Sequence, residues 1–339
     1  MRPDLVDSDA GLLALGPSWE ALWRSVPTAT PFQSPAWQLS WWAAFGTGRP
    51  RVGVLRGAAG ELLGLLPLYV LEEGGTRKLL PIGVGVIDYT DALIAPGLPA
   101  EAAAALLLRT LLANAPRDGV ASCDLADLPP GAALRTAAAP AGWREENWTA
   151  DPCPVLLLPD DPAALRGPVP SRMLRKLRMA RHRADRVGPW TAAAAGPNEA
   201  MPLWEILVRL HQARWARRGE PGGVLGDPRV LRFHRAALPM LTASGALRLY
   251  AVRFGARVVA VCHTLLAGPD RLLLYLSGFD EAQAYESPGT LLLGAIIEDA
   301  IAEGRRELHF LRGGEAYKYA WGGQDRMNVG RRLLPPRCP

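Results

Sequence analysis

The sequence predicts an α/β (α+β) fold in two parts. Three observations carry this: helical and strand periodicities alternate along the chain, a proline-rich stretch lies near its middle, and the charge changes sign across that stretch. Apolar residues make up 49% of the 339 and charged residues 21%, an ordinary globular composition that argues against bulk disorder. The length suits about two domains. Residues 1–160 hold 11 Lys/Arg against 17 Asp/Glu, and residues 161–339 hold 27 against 16, so the net +5 joins −6 to +11.

In the first part, Trp19, Trp23, Trp37, Trp41 and Trp42 cluster, and the spacing of four in 19/23 and 37/41 puts pairs on one helical face. We read them as core anchors, with an aromatic wall of a cleft as the alternative. Ser34-Pro35 caps a helix that ends near Gly46. Alternation in 51–56, a turn at 57–60 and an apolar run over 61–71 predict a hairpin. Residues 79–95 read as further strand with glycine bends, 100–115 as a helix, 120–125 as a strand and 132–139 as a short helix. Residues 149–170 contain six prolines, which excludes a helix or a central strand throughout and leaves room for a short strand at 155–158. We place the domain boundary here, giving domains 1–160 and 161–339.

Residues 171–187 carry seven Lys/Arg and one Asp, with apolar residues at three- and four-residue intervals. They predict an amphipathic helix with a basic outer face, ended by Gly188-Pro189. A strand over 190–195, helices over 202–218 and 228–243, and antiparallel strands at 247–254, 258–266 and 271–277 follow. Ser287-Pro288-Gly289 opens an apolar helix running to Glu303, and a strand over 307–311 leads into Arg312-Gly313-Gly314-Glu315. A last strand is expected near the end of the chain.

Several classes are set aside. Apolar runs reach about ten residues, short of the roughly 20 of a bilayer span. The first residues lack the apolar core of a secretory signal. The four cysteines are scattered without a CxxC pair and the histidines lack ligand spacing, so neither a disulfide framework nor a metal is expected. A cytoplasmic protein, peripheral to the inner membrane surface in one version, is the resulting expectation.

The second part has the element order of an acyl-CoA N-acyltransferase domain. The runs GFDEAQAYESPGTLLL (278–293) and FLRGGEAYKYAWG (310–322), the basic helix 171–187 and FQSPAWQLSWWAAFG (32–46) resemble the GNAT superfamily, in the CelD-like cellulose-biosynthesis branch related to FemABX peptidyltransferases. The resemblance covers nearly the whole chain and implies tandem GNAT-like domains. It also implies mixed, mostly antiparallel sheets flanked by helices, with the better-formed cofactor site in the second domain.

The residues give each motif a chemical reading. The helix N-terminus at Ser287, Gly289 and Thr290 supplies N–H groups, hydroxyls and the positive end of a helix dipole, an anion site. The resemblance puts the acyl-CoA pyrophosphate there, although the usual glycine-rich signature is absent; a plain helix cap is the alternative. It also implies that the strand around Leu276 and Ser277 splays, so that its backbone pairs with pantetheine. Arg312 and Lys318 suit a phosphate or carboxylate, and Glu315 suits proton removal from an ammonium nucleophile. An exposed Arg–Glu pair, with Tyr317 and Trp321 as core, is the alternative. His309 stands where the family commonly has Asp; it is a candidate base, with a structural histidine as the other reading. Tyr285 and Tyr317 are expected to line the acceptor pocket.

The expected function is therefore acyl-CoA- or acetyl-CoA-dependent N-acyl transfer, without an acyl-enzyme or metal. The acceptor is a small-molecule amine or a glycan or envelope precursor, in polysaccharide or cell-envelope biosynthesis. Aminoacyl transfer from charged tRNA is the alternative, and a non-catalytic assembly protein the second. The basic helix is expected to answer the acidic first domain or to meet tRNA or anionic lipid.

Overall fold

The structure, a computed structural model, describes residues 1–217, 219–220 and 222–336. Arg218, the expected last residue of a helix, and Cys338 lie outside them. The chain divides into two compact units, residues 1–152 with 326–339, and residues 153–325.

The first unit opens with β1 (Arg2–Val6), α1 (Asp9–Ala14), α2 (Gly16–Ser25) and α3 (Pro35–Phe45). Ser34 caps α3 by accepting from the Trp37 N–H at 3.2 Å. Trp19, Trp37 and Trp41 are buried, as core anchors should be, and Trp41 packs on Tyr69 and Phe45. The hairpin β2 (Arg49–Arg56) and β3 (Leu62–Glu73) forms as expected, followed by β4 (Thr76–Pro81). The strand expected across 79–95 is interrupted, because Gly83 and Gly85 take φ of 107° and 88°, left-handed values that end an extended chain. Only β5 (Leu93–Ile94) resumes it. Then come α4 (Ala100–Leu112), β6 (Val120–Leu128) and α5 (Ala133–Thr136). The sheet runs β1-β2-β3-β4-β6, and residues 329–333 of the last strand pair with β6. Leu107, Leu108 and Leu111 of α4 form its core with Leu55, Leu66 and Leu125.

The proline-rich stretch departs from expectation. It includes a long strand, β7 (Arg144–Leu157), passing through Pro152 and Pro154. Proline φ suits an extended chain, and only its missing N–H is lost; the Pro154 carbonyl still accepts from Phe310 N–H at 2.9 Å.

The second unit continues with α6 (Ser171–Val187), β8 (Trp190–Ala194), α7 (Ala200–Ala216), α8 (Pro228–Ala243) and the meander β9 (Leu247–Phe254), β10 (Arg257–Ala267) and β11 (Arg271–Phe279). It then has α9 (Pro288–Ala302), β12 (Glu307–His309), α10 (Ala316–Ala320) and the start of β13 (Gln324–Leu334). The strand expected over 307–311 stops at His309 because Leu311 is left-handed, with φ 60°. Within this unit the sheet order is β7-β12-β11-β10-β9-β8, antiparallel except for β11 with β12. Alternate residues face opposite sides. Tyr250 and Val252 meet α6 and α9, while His263 meets Trp204 of α7 and His234 of α8. Two close approaches set the layers. A Cβ on Gly294 would lie 2.6 Å from Leu177 Cδ1, and one on Gly278 would lie 3.0 Å from the His211 backbone nitrogen.

Among the described residues no helix is long and apolar enough to cross a membrane. The same residues contain no group of three or more His, Cys, Asp or Glu able to hold a metal.

Candidate functional site

The site is built where β11 and β12 part. Their parallel pairing covers Arg271–Glu307, Leu272–Leu308 and Leu273–His309, then ends. The next residue, Phe310, gives its N–H to Pro154 of β7, so the chain stays with β7 and leaves β11. Beyond Leu273, β11 runs on to Phe279, held by β10 on its other side. A bulge lies in that stretch: His263 pairs with Leu276 and Thr264 with Leu274, leaving Tyr275 extra. The backbone at Leu276 and Ser277 thus borders an open edge, able to accept an extended ligand as an added strand.

β11 leads through a 3-10 turn (Glu281–Glu286) to the N-terminus of α9. Ser287 sits in the left-handed region at φ 56°, an uncommon conformation for a residue with a side chain. Its carbonyl accepts from Thr290 and Leu291 N–H at 2.9 and 3.2 Å. Pro288 has no N–H, so Gly289 is the residue of this first turn whose N–H is left for a ligand. That is a thinner anion site than the sequence suggested. The Ser287 hydroxyl lies 3.4 Å from the Ala284 carbonyl, and Thr290 is buried. Gly289 is not conformationally required: a Cβ there would meet Phe279 Cδ1 at an ordinary 3.6 Å. The structure adds a cation that the sequence reading missed. The Arg214 guanidinium of α7 lies 4.9 Å over the Phe279 ring, which a Cβ on Gly289 would touch. Only the fold brings positions 214, 279 and 289 together, so no local pattern marks them.

The loop after β12 is organised by Lys318. This side chain is 2% exposed, and its ammonium donates to the carbonyls of Leu311, Arg312 and Gly313 at 3.0, 2.7 and 3.0 Å. It also pairs with Glu315 at 2.9 Å. Expected to face an anionic ligand, Lys318 is instead turned inward with its donors taken up, and it fixes the left-handed Leu311. The Glu315 carboxylate folds over Gly313, where φ is 108° and a Cβ would lie 2.6 Å from Glu315 Oε2. The φ makes glycine the fitting residue here, while the exposed end of Glu315 could swing aside. At Arg312 it is the backbone carbonyl that meets Lys318, the shortest of the three bonds.

Tyr317 packs edge-on against Phe310, centroids 6.1 Å apart. Although the residue is 49% exposed, many protein atoms surround its hydroxyl and push its pKa up. The Glu315 carboxylate adds to the rise and Arg214 opposes it, so Tyr317, Glu315 and Arg214 are electrostatic neighbours. His309 is buried at the last rung before the strands part, 2.8 Å from Glu307 Oε2. Tyr285 stands apart from that group. It is 65% exposed, with Arg183 of α6 stacked 4.6 Å over its ring and donating to its carbonyl at 2.9 Å.

A helix-flanked, mostly antiparallel sheet with a parted pair of parallel strands and a helix N-terminus beside the gap is a distinctive arrangement. Residues 171–319 match the family described as an acetyltransferase (GNAT) domain. This stretch is a GNAT domain. No curated protein matches the sequence. Among solved structures, FemX superposes over 98% of this chain and 97% of its own with a TM-score of 0.68 at 11% identity. A conserved protein of unknown function from Bacteroides thetaiotaomicron covers 98% and 100%, with TM-score 0.61 and 13% identity. L-PGS from Bacillus licheniformis covers 89% and 88%, with TM-score 0.55 and 12% identity. At such identities the likeness is one of fold. The cellulose-biosynthesis branch has no counterpart among these structures.

Proposed function

We propose that the GNAT domain moves an acyl group from acyl-CoA directly to an amine acceptor. The observation that supports this best is the open edge of β11 from Leu274 to Phe279, ending beside the α9 N-terminus. In this reading the backbone at Leu276 and Ser277 holds the pantetheine amides. The Gly289 N–H, the hydroxyls of Ser287 and Thr290, and Arg214 receive the pyrophosphate. A backbone N–H of the edge polarises the thioester carbonyl, and the protein aligns donor and acceptor. Glu315 or His309 accepts the proton of the amine. The thiolate leaves and takes its proton from water, and Tyr317, edge-on against Phe310, lines the acceptor pocket. Arg312 and Tyr285 serve the acceptor, and Lys318 shapes the loop that presents them. The acceptor class, a small amine or an envelope or polysaccharide precursor, and a cytoplasmic location belong to the same proposal. So does the division into an N-terminal and a C-terminal domain.

Titration calorimetry with acetyl-CoA and longer acyl-CoAs at low salt tests the donor. Binding is expected, lost in Gly289→Trp and kept in Gly289→Ala. Failure of every thioester to bind overturns the reading. Aminoacyl transfer from tRNA is the second reading, favoured by Arg172, Arg175 and Lys176 of α6, which meet no acid among the described residues; nucleic-acid binding with a steep salt dependence is its signature.

A further inference from the structure

The outer face of α6 carries a groove that the acyl-CoA reading does not use. Its volume is about 520 Å³, within the range of small-ligand sites. Four cations line it, Arg172, Arg175, Lys176 and Arg183, and no acid does. Its apolar lining is Met173 and Met179, with Pro170 at its foot and Ala320 of α10 opposite. Positions 172, 175, 176, 179 and 183 recur at three and four, so they share one side of the helix.

Some cations of the same unit are paired off. Arg181, on the same helix, pairs with Glu298 at 2.6 Å, and Arg229 and Arg235 of α8 pair with Asp227 and Glu205. Among the described residues, Arg172, Arg175 and Lys176 meet no acid. Arg183 is held in place by its stacking on Tyr285 and its bond to the Tyr285 carbonyl. Four like charges around one concavity repel one another, and an anion between them removes that repulsion. The thioether of Met179, 47% exposed amid the cations, adds a soft apolar surface inside the charged ring.

We propose that this groove binds the phosphate head of an anionic amphiphile, a phospholipid-like ligand. Its phosphate oxygens lie among Arg172, Arg175, Lys176 and Arg183, where guanidinium groups bind them bidentately. The first apolar segment of the ligand lies on Met173, Met179, Pro170 and Ala320. An RNA backbone would use the cations alone and leave the methionines idle. Base stacking needs open aromatic faces, and α6 has none, while one face of Tyr285 is covered by Arg183. The inference does not depend on acyl-CoA binding, which is assigned to β11 and α9.

The test is titration of the full chain with dihexanoyl phosphatidic acid below its micelle concentration. Glycerol 3-phosphate, dihexanoyl phosphatidylcholine and bulk tRNA serve as comparisons. The phosphatidic acid is expected to bind most tightly. Arg175→Glu with Lys176→Glu should weaken it roughly tenfold or more, and Met179→Ser about fivefold. Arg178→Glu with Arg186→Glu, on α6 but outside the groove, should change it less than about twofold. These side chains are on the surface, so melting curves should be unchanged; Met179→Ser alone suffices if a charge reversal unfolds the chain. The proposal is overturned if glycerol 3-phosphate binds as well as the lipid, if tRNA binds more tightly, if the control pair loses as much as the groove pair, or if no lipid binds.

Discussion

Lowering the pH from 7.5 to 5.0 probes the aromatic cluster between the sheet and helices α7 and α8. His234 and His263 are fully buried there with ring centroids 5.8 Å apart, both against Trp204 and Tyr275. Burial pushes His263 down to about 3. Burial, with His263 beside it, pushes His234 well below its ordinary 6.5. At pH 5 each ring is neutral when folded and mostly protonated when unfolded. The unfolded state then binds more protons, so stability is full above pH 6.5 and falls as the pH drops through it. Per ring the loss is RT ln(1 + 10^1.5), about 2 kcal/mol, hence about 4 kcal/mol for the pair. His211, pushed down to about 4 by burial, adds about 2 kcal/mol more in the same direction. Asp91, pushed up to about 6, opposes it in the first unit by about 1 kcal/mol. Urea unfolding followed by tryptophan fluorescence at several pH values measures the change, with Trp204 4.7 Å from His234 as the reporter. His263→Phe should lose about a third of the pH dependence. A stability that stays flat from pH 7.5 to 5.0, or an undiminished slope in His263→Phe, refutes the reasoning.

Other outcomes follow from the same geometry. Lys318→Met leaves the Leu311, Arg312 and Gly313 carbonyls without their donor and should cost about 2–4 kcal/mol in urea unfolding; a cost under about 1 kcal/mol would show that the loop holds itself. Gly313→Ala should cost about 1–3 kcal/mol, while Gly289→Ala should be near neutral; equal costs would contradict the two backbones. Asp91 accepts from Ala92, Ala133 and Leu134 N–H, yet burial outweighs these bonds and raises its pKa. It binds its proton more tightly when folded, so its share of stability is full below about pH 4 and lost as the pH rises through about 6. The gap between wild type and Asp91→Asn should therefore narrow by about 2–3 kcal/mol across that interval, and a constant gap would argue against a raised pKa.

Where local pattern decides structure, the sequence was readable. α6 begins and ends where its apolar stripe and Gly188 place it, since a 17-residue amphipathic repeat has one way to bury Met173, Leu177, Ala180 and Ala184. The meander β9–β10–β11 was equally plain from its short turns. β7 was hidden because proline weighs against strands, although its φ suits one. Lys318 was misjudged because its partners are backbone carbonyls five to seven residues earlier, which no side-chain motif reveals. The stacking of Arg214 on Phe279 required the packing of α7 on β11, where Gly278 lets helix and strand approach.

The pairing of β6 with β13 has a consequence for synthesis. Val329 bonds opposite Leu128, and the Arg332 guanidinium holds Asp124 at 2.8 and 2.9 Å. Residues 153–325 are continuous and emerge from the ribosome as one piece, whereas the first unit waits for residues 326–334 to finish its sheet. Until then β6 presents a bare edge, the kind of surface on which unfinished chains associate. The unit translated first is thus the one completed last, and a chain stopped before residue 326 would carry a whole second unit beside an open-edged first one.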